Sequence, residues 1–440
     1  MLELDDIQSG VLRPRPTPYA AAYLVVRIDD RHAGRALMRR ARQVVASAAD
    51  VTSPACDAWV NVAITFQGLK ALGVPQASLD SFAPEFREGM AARAEVLGDT
   101  GENSPAHWER PLGTPEVHVV FAAIAPDTQR LEPALDRAIA AVQELSGVTL
   151  IWRQDCHVLP GSKEAFGFKD NISHPAIEGS GIPGTNPNEP PFKAGEFILG
   201  HVDELGHVLA VPAPDVLGFN GTYVAIRKLQ QRVGAFRQFL KATSASPEEE
   251  EMLAAKMMGR WRSGAPLALC PHRDDPALGA DPQRNNDFLF RDDDPKGLKT
   301  PPGSHIRRVN PRDAFEDGGP MVRIHRMIRR GTSYGPPLPE GALEDDGVDR
   351  GFMFLFIGAH LRRQFEFVQS VWINDGEFIG APAETDPIAG TRSESGDFTI
   401  PRWPVRRRLQ GLPRFVVTRG GEYCFMPGLR ALEWLGELDT

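Results

Sequence analysis

Cysteine is scarce and unpaired. Cys56, Cys156, Cys270 and Cys424 are scattered over 440 residues without a CxxC pair, so neither a disulfide framework nor a zinc ribbon is expected. No stretch approaches 18 consecutive apolar residues, which excludes a membrane-spanning helix. The N-terminus MLELDDIQSG is acidic and lacks an apolar core region, so no secretory signal is expected and a cytoplasmic location is. None of the 11 histidines pair as HxxxH and no Walker A sequence is present, which sets aside a helix-borne zinc site and a P-loop. Basic charge is also in deficit. A net charge of -9 disfavours a general nucleic-acid binder, because a phosphate backbone needs a basic face.

Glycine and proline are abundant. They number 42 and 38, about 18% of the chain against roughly 12% on average. Hydrophobic residues are 42% and charged residues 24%, which is ordinary for a globular protein and rules out disorder as the cause. Long ordered loops are therefore expected between regular elements.

Strands are predicted at residues 20–28, 59–66, 117–124 and 148–152, with helices over 31–48 and 128–146 whose apolar stripes include Leu37, Ala41, Leu131 and Leu135. The order β-α-β, insertion, β-α-β is that of a ferredoxin-like split βαβ. A second unit is read from a strand at 222–229, helices at 230–242 and 247–261, a strand-like run MVRIHRMIRRG, a buried strand GFMFLFIGAH, a helix RRQFEFVQSVW and a hairpin around Gly420-Gly421. The expected fold is α+β, two ferredoxin-like units with four-stranded antiparallel sheets. The domains run over 1–215 and 216–440, the latter with an insertion at 260–320. Segments 159–220 and 263–320 carry the Gly and Pro excess yet contain Phe166, Phe168, Ile172 and Phe192, so they read as ordered functional loops.

Two of those loops have unusual chemistry. In Gly303-Ser304-His305-Ile306-Arg307-Arg308-Val309-Asn310-Pro311-Arg312-Asp313 an imidazole sits among guanidinium groups, and in Gly167-Phe168-Lys169-Asp170-Asn171 a carboxylate lies in an aromatic turn. Alone, such residues read as a surface histidine, a turn-capping aspartate and salt-bridged arginines. Together with Ile328-Arg329-Arg330-Gly331, and with IQSGVL, NVAITFQGLKALGV, NGTYVAIRKLQQ, MMGRWRSGAPL, NNDF, RRQFEFVQSVW and GGEYCFMPGLRAL, they resemble the dye-decolorizing peroxidases along nearly the whole chain.

The resemblance implies a haem b enzyme that uses hydrogen peroxide to oxidise bulky dyes and phenolic compounds by one-electron steps through a ferryl intermediate. The haem is held in the C-terminal half, facing the inter-domain side. His305 matches the proximal iron ligand, Asp170 the distal aspartate of a GxxDG motif and Arg329 the distal arginine. Asn171 departs from that motif's last Gly, and His174 stands where the family often has Gln. Arg307, Arg308 and Arg312 are suited to the haem propionates, Phe354 to the distal wall, and Asp386, with Asp397 behind it, to supporting the proximal imidazole. A carboxylate base titrates near ~3.9 and an imidazole near ~6.5, so oxidation is expected to be fastest in acid. Partners are hydrogen peroxide and small aromatic reductants, with no nucleic acid and no membrane, compatible with a homo-oligomer. Trp261, Trp372, Trp403, Tyr334 and Tyr423 are candidates to relay electrons, although packing alone also accounts for them. A haem carrier or iron-release protein on the same fold is the rival reading.

Overall fold

The computed structural model describes residues 2–50, 58–315, 319–391 and 396–438; Cys56 lies outside them. Ala20–Ile28 (β1) is buried at all positions but Arg27, as expected of a strand covered on both faces. It pairs with Val119–Ala125 (β3) and Val148–His157 (β4), and β3 pairs with Trp59–Thr65 (β2), all antiparallel. The helices Arg31–Val44 and Thr128–Gln143 begin where Asp30 and Asp127 accept backbone N–H groups from Ala33 and Arg130. Their apolar stripes (Leu37, Met38, Ala41; Leu131, Leu135, Val142) are buried in one core with the inner residues of β1 and β3.

In the second half Thr222–Gln231 (β5) lies between Gly351–Gly358 (β8) and Val416–Met426 (β11), and the short strands Ile328–Arg329 (β6) and Thr332–Tyr334 (β7) pair with the other edge of β8. The strand order β4-β1-β3-β2-β11-β5-β8-β6, with β7 also paired to β8, makes one sheet of nine strands. Each half has the same internal order, but β11 pairs with β2 through Cys424–Thr65 and Phe425–Ile64, so the two expected sheets are continuous. Gly396–Ile400 (β9) and Arg407–Leu412 (β10) form a separate ribbon. Among the described residues no helix is long and apolar enough to cross a membrane.

Three expectations change. No hairpin forms at Gly420-Gly421, where β11 runs straight on with a bulge between Thr418 and Gly420. A Cβ on those glycines would stand 2.4 Å from Leu112 and 2.2 Å from Met90, so close packing and not a turn demands them. The run MVRIHRMIRRG is mostly not a strand, since only Ile328–Arg329 pairs. The helix after β8 is wound as π-helical turns, Leu361–Glu366 and Val368–Ile373, a winding that concentrates at functional sites.

In the loops 159–220 and 263–315 the aromatic residues are packed as expected: Phe166, Phe168, Phe192, Phe288 and Phe290 are all buried. Residues such as Phe166, Phe168 and Phe288 wall one face of the second half of the sheet, while Phe192 packs against the other with Met353, Leu355 and Ile357.

A cavity between the sheet and its covering loops

Side chains alternate across a strand. On β8, Phe352 and Phe354 turn to the cavity while Met353, Leu355 and Ile357 enter the core on the other face. Arg227 and Leu229 of β5, paired with Phe354 and Phe352, share the cavity face. The space is about 310 Å³, walled by Ile306, Val309, Phe354, Phe365, Val368 and Ile388, and reached by His305, Asp170, Arg329 and Arg312.

His305 opens the short helix His305–Val309. Its Nδ1 lies 2.9 Å from Asp386 Oδ2, while Asp386 Oδ1 accepts N–H groups from Ile388 and Ala389 at 2.8 and 2.9 Å. A carboxylate so placed accepts a hydrogen bond from Nδ1–H, and a neutral ring that keeps its proton there has its lone pair on Nε2. Burial alone would raise the Asp386 carboxyl, but His305, Arg308 and the Ala389 N–H outweigh it and hold it below its ordinary value. Asp397 is elsewhere, paired with Arg408 at 2.5 Å.

The three arginines of this segment separate. Arg308 is fully buried and donates to the carbonyls of Gly303, Trp372, Asp375 and Glu384. Arg307 donates to Asp294 and to the carbonyl of Thr300. Neither lines the cavity, because each is occupied in fastening the helix to neighbouring loops. Arg312 does line it, 3.8 Å from the ring centroid of Phe288. Arg260, not singled out in the sequence, lines it too and is bonded to the Asn286 amide at 2.5 Å.

The Asp170 turn is braced from within. Glu164 accepts the N–H groups of Phe166 and Phe168 at 2.9 Å each and the Gln231 amide at 2.5 Å, and burial raises its carboxyl. Asn171 has φ +62°, the left-handed conformation that Asn tolerates best after Gly, so the turn survives the loss of glycine. Asp170 is joined at 2.5 Å to Arg15, a residue of the N-terminal segment that sequence reasoning missed. Arg15 also donates to the Gly331 carbonyl at 2.7 Å. Arg329 faces the cavity from β6 and donates to the Ser173 carbonyl at 3.3 Å. Burial and Arg326 pull it down to about 10, against the opposing influence of Asp170, so it remains a cation across the neutral range. Arg330, one residue on, instead donates to the carbonyls of Gly10, Val11 and Leu12.

Known proteins match this chain throughout. The family model described as the DyP dimeric alpha+beta barrel domain matches residues 6–150. The dye-decolorizing peroxidase of Mycena epipterygia is 34% identical over 416 residues, 85% of this chain and 75% of its own. The chain belongs to the dye-decolorizing peroxidase family. It is a peroxidase. Among solved structures, a fungal DyP-type peroxidase from Auricularia auricula-judae is 28% identical with a TM-score of 0.85, each chain covered at 100%. A dye-decolorizing peroxidase in complex with 2,6-dimethoxyphenol is 28% identical with a TM-score of 0.85, covering 98% of this chain and 99% of that one.

Spellings that suggest other families lose their meaning in the peroxidase fold. Gly331-Thr332-Ser333-Tyr334-Gly335 reads GxSxG, but Ser333 is buried in edge strand β7 with its N–H on the Tyr19 hydroxyl, not on a strand-to-helix elbow. Gly179–Gly184 reads GxGxxG without the strand before or the helix after that a dinucleotide site requires. Of the candidate relay aromatics, Trp261, Trp372, Tyr334 and Tyr423 are buried and Trp403 is 90% exposed.

Proposed function

We propose that this protein is a haem b peroxidase that uses hydrogen peroxide to oxidise dyes and phenolic reductants one electron at a time. The observation that carries the reading is the His305–Asp386 pair at 2.9 Å in a cavity also lined by Asp170 and Arg329. A neutral imidazole with a free Nε2, apolar walls and Arg312 at the rim form a donor set that suits a flat, dianionic iron porphyrin. When bound, the haem supplies the iron that takes two oxidising equivalents from peroxide. His305 Nε2 would hold that iron, and Asp386, by accepting the Nδ1 proton, makes the ring a stronger donor.

The remaining work belongs to side chains on the other wall. Asp170 accepts the proton of one peroxide oxygen and returns it to the other. Arg329 stabilises the charge that grows on the departing oxygen. Phe354 keeps water from that wall. Of the three predicted guanidinium groups Arg312 is the one that lines the cavity, while its Nη1 donates to the carbonyls of Asn286 and Phe288, and it is assigned to a propionate. The relative solved with 2,6-dimethoxyphenol supports phenols as reductants here.

The test is spectroscopic and then kinetic. The purified protein should show a Soret band that shifts on addition of peroxide, and should oxidise an anthraquinone dye and 2,6-dimethoxyphenol. Arg329→Ala should lose most of that rate while keeping the Soret band. A loaded protein with no turnover on either reductant would return the reading to a haem carrier.

A further inference from the structure

The hydrogen bonds around Asn171 have only one consistent set of donors. Arg330 Nη1 lies 3.2 Å from His174 Nδ1, and because a guanidinium can only donate, Nδ1 must be the acceptor. His174 Nε2 therefore carries the proton and donates it to Asn171 Oδ1 at 2.8 Å. With its oxygen so engaged, the Asn171 amide nitrogen donates to the Arg15 carbonyl at 3.3 Å and to Thr17 Oγ1 at 3.0 Å. Arg15 closes the ring by donating to Asp170 Oδ2 at 2.5 Å. One chain of donors thus runs from the RR pair, through the loop, to the N-terminal segment that grips the distal carboxylate.

We propose that His174 is a positioning residue for Asp170, acting as a neutral Nε2–H imidazole that couples Arg330 to Asn171 and so seats Arg15 against the carboxylate. The inference rests on the reading of Asp170 as the proton acceptor. The groups facing His174 agree with a neutral ring: burial first, then Arg330, Arg329 and Arg15, hold it well below the ordinary imidazole value. Among the described residues no carboxylate is bonded to the ring. Glutamine reproduces the pattern, one oxygen to accept from Arg330 and one N–H to donate to Asn171, whereas leucine does neither.

The experiment compares His174→Gln, His174→Leu and Asp170→Asn as haem-loaded enzymes, with loading checked by the Soret band. The rate of reaction with peroxide is followed from acid to alkaline pH, and amide hydrogen exchange is measured across residues 13–19. H174Q should stay within about threefold of the parent with the same pH profile. H174L should fall by at least about tenfold in acid, since a positioned base contributes roughly 10²–10⁴-fold. Its remaining rate should climb with pH, because peroxide must then lose its proton to solvent. Exchange over 13–19 should rise in H174L and not in H174Q. An H174L enzyme with parental rate and profile overturns the proposal, as do Gln and Leu variants that fall equally with an unchanged profile. D170N separates the two readings: a parental D170N removes Asp170 as the base, whereas an inactive D170N beside an unaltered H174L removes only the role of His174.

Discussion

His305 and Asp170 face one cavity, yet their supports are built differently. The partner of His305 is a single carboxylate with no exposed side-chain surface, and its second oxygen is filled by backbone N–H groups of its own loop. Asp170 keeps 32% of its side-chain surface exposed and is gripped by Arg15 from 155 residues upstream, itself seated through Asn171, His174 and Arg330. The first arrangement is a closed pair and the second an assembly of three chain segments. The contrast suits the roles proposed for them: an iron ligand benefits from a preset direction, whereas a group that takes and returns a proton needs access to the cavity.

Removing each centre should break this contrast most sharply. His305→Ala should abolish tight cofactor retention, read as haem per protein after desalting; full retention would sink the axial assignment. Asp170→Asn should leave haem content unchanged and lower peroxide-dependent turnover by about 10²–10⁴-fold, so that one wall controls binding and the other chemistry. Weakening the closed pair is milder: Asp386→Asn should cost about 10- to 100-fold in haem affinity or turnover, measured by haem titration of the apo-protein. An unchanged affinity and rate would show that Asp386 only fills space.

The smallest effect concerns acid stability. His174 is depressed in the folded state, so the unfolded chain binds its proton first as pH falls. The stability it confers is complete above the ordinary imidazole value and is lost progressively below it. The slope from this residue is at most about 1.4 kcal/mol per pH unit. Unfolding in denaturant over an acid pH series should show H174Q with a shallower acid decline than the parent; identical slopes would mean that the ring is not held neutral.

Legibility followed the range of the forces. The strands and helices of the first half were readable because a buried strand is a continuous apolar run and a packed helix a periodic one: β1 appears at the residues where AAAYLVVRI lies. The RFVVTRGGEYCFMP run misled because adjacent glycines serve a turn or a close contact equally well, and Leu112 and Met90, far away in the chain, decide which. In the RR pair, alternation along an extended chain sends Arg329 to the cavity and Arg330 to the N-terminal carbonyls, a distinction that appears only once β6 is paired with β8.

His305, Asp170 and Arg329 stand in recognisable local settings, and with Asp386, one of two candidate carboxylates in the sequence, they are brought together in the fold. Arg15 carried no such mark. RPRPTPY reads as an irregular, proline-rich arm, and its guanidinium gains meaning only where the fold lays that arm beside residues 170–174. Likewise Arg307, Arg308 and Arg312 are equivalent as a string of cations; all three donate to loop carbonyls, and only the fold places Arg312 alone of them in the cavity wall. The sequence by itself determined the family and the α+β class, and it singled out His305 and Asp170 as the residues to look for, since these follow from local pattern and residue type. The tertiary structure alone decided which charged groups meet, because the pairing of buried charges depends on contacts between segments that no local spacing encodes.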